Sequence, residues 1–291
     1  MCARRFSIPR LLAAAHLRAQ RARNRTISAR RPKRAILPST TYVICTNPRS
    51  GSWLLSSGLL STKLAGRPRE WYNVDAAQRR RAEWGIAGVG SSGDKAYLDQ
   101  VLARSMTPNG VSGIKLQFHQ FVELQKSLRH IEGFGRLSTP ALMARAFPNI
   151  RYLWLTRRDK ARQAISYFLA QKTGRWWIVE GGVPERSGHA SQPEFDPRVI
   201  AQLERMLIEN DSQWRLFFTT NNIAVLTVFY EDLATNYRAT ILDVLKWLGI
   251  PDTGAVKVPP PRVKKQSNDI NELWLDKYMS LKNQGILQGG V

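Results

Sequence analysis

Apolar positions along the chain follow two periods. Four short runs rich in β-branched and aromatic residues, Tyr42 to Thr46, Val111 to Phe118, Ile150 to Thr156 and Ile223 to Tyr230, read as strands. Between and after them apolar residues recur at helical spacing, which predicts helices over Ser52 to Leu64, His119 to His130, Ser138 to Ala146, Asp159 to Gln171, Pro197 to Phe218 and Asn236 to Leu248. Pro140 falls in the first turn of the third helix, where its missing N–H costs nothing, and Gly249 with Pro251 stops the last. Strands alternating with helices predict an α/β fold on a parallel sheet. Two stretches break the pattern. Gly85 to Asp94 reads as a loop, and so does "GGVPERSGHASQPEFDP", Gly181 to Pro197, whose Gly, Pro and Ser content suits a lid over a site. There is no internal repeat and no apolar run of membrane-spanning length.

Charge changes the picture at one end. The net charge is +22, and residues 1 to 34 hold eleven Lys/Arg with no Asp or Glu, so half the excess lies there. Residues 1–37 therefore read as a basic extension, disordered or helical, matched to an anionic membrane surface, nucleic acid or an acidic partner. A solvated arm without a specific role and an Arg-rich transit peptide are the competing readings. The two cysteines, Cys2 and Cys45, cannot build a disulfide framework and suit a reducing, cytoplasmic setting, with the arm allowing peripheral contact at the inner membrane face. The four histidines show no metal-ligand spacing, so no metal is expected.

The chemistry begins at "TYVICTNPRSGSWLLSSGLL", residues 41 to 60. A strand, a short Ser/Gly turn and a helix aim backbone N–H groups and a helix dipole at one point, which favours a phosphate or sulfate. The Walker pattern with its lysine is absent, and a nucleotide kinase of P-loop-like fold, the alternative reading, would need that lysine and a Mg²⁺-binding hydroxyl. In an open parallel sheet ligands lie beyond the carboxyl ends of the strands. After the first strand stand Arg49, Ser50, Gly51 and Ser52. After the third stand Arg157, Arg158 and Asp159, with Ser166 on the next helix. Two such clusters of anion-matched donors imply a ligand with two separated anionic ends. A nucleic-acid-binding module is a third reading; it rests only on the basic arm, and no specific nucleic-acid partner is expected.

These segments resemble the sulfotransferases that use 3′-phosphoadenosine 5′-phosphosulfate, in particular the bacterial trehalose 2-sulfotransferase type. "NPRSGSWLL" (47–55) is similar to that family's 5′-phosphosulfate loop, and "LTRRDKARQAISYFLAQKTGRW" (155–176) to its 3′-phosphate segment. "AGRPREWYN" (65–73), "GIKLQF" (113–118), "YEDL" (230–233) and "RVKKQSNDINELW" (262–274) follow in the family's order. The resemblance implies one sulfotransferase domain over 38–291, a P-loop-like parallel sheet flanked by helices, and transfer of a sulfuryl group to a carbohydrate or glycolipid hydroxyl. It also implies a homodimer and no metal.

Carried over, Arg49, Ser50, Gly51, Ser52 and Trp53 would bind the 5′ end of the donor, and Arg158 and Ser166 its 3′ phosphate. Trp53 replaces the family's usual Thr and removes one hydroxyl donor, so either a neighbouring N–H serves instead or donor affinity is lower, a missing bond to a charged group costing about 1.5 to 3 kcal/mol. Glu70 would be the general base. Its competing reading is an ion pair with Arg67 or Arg69. Lys115 would stabilise charge on the bridging oxygen, against the alternative of a strand lysine extended to solvent. His119 is the competing base. Trp71, Tyr72, Trp176 and Trp177 are candidates for stacking on adenine or a sugar, against ordinary core packing.

Overall fold

The computed structural model describes residues 37–174, 176, 193–261 and 269–287. Four parallel strands, β1 (Thr40–Thr46), β2 (Val111–Gln117), β3 (Ile150–Thr156) and β4 (Val225–Phe229), form one sheet in the order β2-β1-β3-β4. All four expected strands are present. The described helices are α1 (Ser52–Ser61), α2 (Val74–Glu83), α3 (Ser91–Ser105), α4 (Phe118–Arg129), α5 (Thr139–Ala146), α6 (Lys160–Thr173), α7 (Pro197–Thr220), α8 (Tyr230–Thr235), α9 (Tyr237–Trp247) and α10 (Asp269–Asn283).

Alternation along the strands sorts side chains onto two covered faces, as a parallel sheet requires. Val43, Cys45, Ile114, Leu116, Tyr152 and Trp154 face one core with Phe121, Leu124, Trp214 and Phe218. Tyr42, Ile44, Leu153, Leu155 and Val228 face the other with Leu55, Leu59, Ile241 and Val244. A third cluster joins α6, α7 and α10 through Ile165, Phe168, Leu207, Trp274 and Tyr278. The sheet is therefore held on both sides, and its carboxyl ends all open at one edge.

The structure corrects two expectations. The first helix stops at Ser61 rather than Leu64, where the Thr62 hydroxyl donates to the Leu59 carbonyl and Lys63 turns to a positive φ of 59°. The stretch Gly85 to Asp94 is not loop throughout, because Ser91 to Asp94 form the first turn of α3. Asp94 is buried there, accepting from Ser127 Oγ and paired with Arg81 and His130. These partners, distant in sequence, stabilise a helix start that local composition does not announce. The stretch Gly181 to Pro197 lies outside the described residues up to position 192, and Pro197 opens α7. Residues 1–36 also lie outside them.

Candidate active site

The turn between β1 and α1 is built on two left-handed residues, Arg49 at φ 63° and Gly51 at φ 83°. Gly51 is required there twice over. Its backbone is in the region glycine tolerates best, and a Cβ would fall 2.4 Å from Cδ2 of Tyr230. Gly51 caps α1 without a side-chain bond, and no acidic residue stands in the first turn, so the positive end of α1 meets the cleft uncompensated. Ser50 is fully buried and spends its hydroxyl on the Asn47 carbonyl at 2.9 Å and on Thr46 Oγ1. It shapes the loop. Ser52 and Trp53 open α1, both half-buried.

Two residues of other elements hold this loop. Gln163 on α6 donates to the Pro48 carbonyl at 2.7 Å. Asp211, buried on α7, accepts from Asn47 Nδ2 at 2.6 Å and Thr156 Oγ1 at 2.5 Å, and pairs with Lys160. One carboxylate thus ties together the ends of β1 and β3 and the start of α6. These are the segments that carry both clusters of anion-binding residues.

The two clusters adjoin. Arg49 Nε donates to Ser166 Oγ at 3.0 Å, and its Nη1 donates to the Trp176 carbonyl. Burial, then the Arg157 guanidinium, pulls the Arg49 side chain down to about 10, still cationic at neutral pH. Arg158 is placed differently: half-exposed, it makes a two-pronged pair with Asp232 at 2.8 Å for each bond. Arg157, only 9% exposed, lies with its guanidinium 4.7 Å from the centre of the Tyr230 ring.

A second cluster stands beside the loop, because the register Thr46 to Gln117 sets the ends of β1 and β2 side by side. Gly66, at φ 64°, comes so close to β2 that a Cβ would meet the Gly113 nitrogen at 2.4 Å. That approach lets the extended segment after it bridge to Ile114, with Lys115 N donating to the Arg69 carbonyl at 2.9 Å. Glu70 is thereby set against Lys115, whose Nζ lies 3.0 Å from Oε1. Gln120 Nε2 donates to Oε2 at 2.8 Å and Gln117 Nε2 to Oε1 at 3.5 Å. Burial pushes the Glu70 carboxyl up, but the Lys115 cation and these amide donors outweigh it and hold the group below the usual carboxylate range. Lys115 itself is 7% exposed, so this is an inward-facing lysine, not one extended to solvent.

The ion pair of Glu70 is thus with Lys115, while Arg67 donates to the Arg104 carbonyl. His119 is exposed on α4, next to Gln120, which is buried and faces Glu70. Trp71 and Tyr72 belong to the core, whereas Trp176 is exposed with its ring 6.0 Å from Tyr167; Trp177 lies outside the described residues. Gln117, Gln120, Gln163 and Asp211 were not expected from the sequence. A Gln-x-x-Gln start after a strand was a legible signal, since Gln120 Oε1 caps the Gln117 N–H and turns its Nε2 towards Glu70. So was Asp211, which shares one helical stripe with Ile200, Leu207, Trp214 and Phe218.

The chemistry this edge allows is anion binding beside an ionised carboxylate. The family model described as Stf0 sulphotransferase matches residues 41–280. The trehalose 2-sulfotransferase of Mycolicibacterium smegmatis (strain ATCC 700084 / mc(2)155) is 28% identical over 263 residues, 82% of this chain and 94% of that protein. The trehalose 2-sulfotransferase of Mycobacterium tuberculosis (strain ATCC 35801 / TMC 107 / Erdman) is 27% identical over 267 residues, 84% of this chain and 95% of that one. Among solved structures, the sulfotransferase domain from the Synechococcus PCC 7002 olefin synthase aligns with a TM-score of 0.36 and 15% identity, covering 84% of this chain and 88% of that one.

Proposed function

The chain belongs to the Stf0 sulphotransferase family, and we propose that it moves a sulfuryl group from 3′-phosphoadenosine 5′-phosphosulfate to a hydroxyl of a carbohydrate of the trehalose kind, with Glu70 as general base. The observation that carries this reading is the Glu70 cluster: a carboxylate kept ionised by Lys115 and Gln120 at the end of β2, next to an anion-binding loop at the end of β1.

The residues present fit such a donor. The uncapped, acid-free start of α1 and the Arg49 guanidinium offer positive charge at a loop whose turn depends on the left-handed backbone of Gly51. When bound, the donor supplies the sulfuryl group, and the bond between its sulfur and the bridging phosphate oxygen is the one that breaks. Arg49 and the loop amides oppose the negative charge left on that phosphate. Glu70 takes the proton from the acceptor hydroxyl as its oxygen bonds to sulfur, and Lys115 keeps the carboxylate oriented and ready to accept. A positioned base of this kind contributes about 10² to 10⁴ in rate. Binding of adenosine 3′,5′-bisphosphate tests the donor assignment. It should bind the full chain much more tightly than AMP does, and equal affinities in calorimetry would overturn the reading.

A further inference from the structure

We propose that the acceptor carries an anionic group of its own, and that Arg69, with Arg80 and Arg67 beside it, receives that group while Glu70 meets the hydroxyl. The preferred substrate is then a phosphorylated sugar rather than a neutral one. The inference deepens the acceptor assignment above and rests on it.

These cations stand away from the donor loop. β2 is an edge strand of the sheet, with β1 on one flank, and the segment carrying Glu70 lies on the other flank through the bridge from Arg69 to Ile114. The donor loop follows β1, so Arg69 is on the far side of β2 from it. The chain turns at Glu70, where the Trp71 N–H donates back to the Arg69 carbonyl at 2.9 Å, and Arg69 and Glu70 project from that one turn. Adjacent Cα atoms are about 3.8 Å apart, so a guanidinium on the first and a carboxylate on the second fall within the span of a disaccharide.

Arg80 is built into the same turn. From α2 its Nη1 donates to the Glu70 carbonyl at 2.9 Å and to the Trp71 carbonyl at 3.0 Å, and its guanidinium lies 5.0 Å from the centre of the Trp71 ring. A half-buried side chain held by two carbonyls and an aromatic face is a fixed cation, which lowers the ordering cost of binding an anion. Partial burial first, then the charges of Arg80 and Arg67, lower the basicity of the exposed Arg69. The acids nearby do not balance this group. Glu70 pairs with Lys115, Asp94 with Arg81 and His130, and Asp99 with Lys95. Asp75 and Glu83 are exposed at the two ends of α2, and neither pairs with Arg67, Arg69 or Arg80 among the described residues. Three guanidiniums therefore gather at the turn without a carboxylate paired to any of them. A phosphate monoester matches the guanidinium fork and relieves their mutual repulsion.

The competing role for the cluster is structural, with Arg80 fastening α2 to the turn, and the two roles part in acceptor kinetics. The full chain is given ³⁵S-labelled 3′-phosphoadenosine 5′-phosphosulfate with trehalose against trehalose 6-phosphate, and with glucose against its 1- and 6-phosphates. At least one phosphorylated sugar should exceed its neutral parent in kcat/KM by about 10- to 100-fold, chiefly through KM, as charge-assisted bonds would give. Arg69→Gln should bring that ratio towards 1, and Arg69→Lys, which keeps a charge but not the fork, should retain part of it. Both variants should melt near the unmodified chain, because Arg69 is exposed. No preference for any phosphorylated sugar, or a preference unchanged in Arg69→Gln, overturns the proposal and leaves sulfuryl transfer to a sugar standing. Loss of binding to anionic vesicles in Arg69→Gln without a change in the acceptor ratio also overturns it, and gives the cluster to a membrane surface. Absence of label in every sugar is a separate result: it removes the acceptor assignment, and this proposal falls with it.

Discussion

The Glu70 carboxylate is set by two opposed influences, burial that favours its neutral form and a lysine with two amides that favour the charged form. The second group wins, so Glu70 stays deprotonated to a lower pH than an ordinary carboxylate would. We expect kcat/KM to hold on the acid side until below that ordinary range. Lys115→Met removes the cation while leaving the burial, so the Glu70 pKa should rise and the acid limb of the profile should move to higher pH. An acid limb that stays in place in Lys115→Met would show that Glu70 is not the group being titrated. At this scale the sequence was informative about residue types and less so about partners. Glu70 and Lys115 could be picked out through the family resemblance, but their 3.0 Å pairing depends on Gly66 and Gly113 bringing two separate segments together. For Gln120 the Gln-x-x-Gln start marks a helix cap, but nothing in a local helix start says that its Nε2 will reach Glu70.

Among the elements, α7 does more than cover the sheet. Asp211 is a charged residue on the helix's buried stripe, and it bonds to Asn47, Thr156 and Lys160 at once. Truncation in Asp211→Ala would strand the Lys160 cation and the Asn47 amide, and a loss of about 3 to 5 kcal/mol is expected in denaturant unfolding. A change under 1 kcal/mol would mean that the ties are not formed in solution. Gly51→Ala should also destabilise the chain, by about 1 to 3 kcal/mol, because it combines a left-handed backbone with a side chain pressed on Tyr230. Near-native bisphosphate affinity in that variant would contradict the geometry given to the loop. All four strands and helices such as α6 and α7 were expected from their apolar spacing, whereas α3, which buries Tyr97, Leu98, Val101 and Leu102, was not, because its Gly- and Ser-rich start reads as loop. The helix α2 was not, since none of its residues is buried and Asn73 caps it from outside, leaving no periodicity to read. Asp94 misled for a related reason: Gly- and Ser-rich sequence around it looks like loop until Arg81, Ser127 and His130 converge on its carboxylate.

For the whole molecule, charge and chemistry are unevenly divided along the chain. The family match begins at residue 41, after the segment that holds eleven of the basic residues and no acidic ones. Deleting residues 1–36 should leave unfolding and turnover on a small sugar unchanged, and should weaken binding to anionic vesicles at low salt. Loss of folding on deletion would show that the segment joins the core. The parallel architecture followed from the alternation of strand and helix, whereas the cleft depended on contacts between segments more than a hundred residues apart, such as Arg49 with Ser166 and Asn47 with Asp211. The central claim is sulfuryl transfer to a carbohydrate hydroxyl with Glu70 as base. Its most direct test is to incubate the full chain and its Glu70→Gln variant with ³⁵S-labelled 3′-phosphoadenosine 5′-phosphosulfate and trehalose, and to count label in the sugar. The account predicts labelled trehalose from the unmodified chain and a fall in kcat of about 10² to 10⁴ in Glu70→Gln, with bisphosphate affinity retained. Absence of label in the sugar from the unmodified chain, or full turnover in Glu70→Gln, would contradict it.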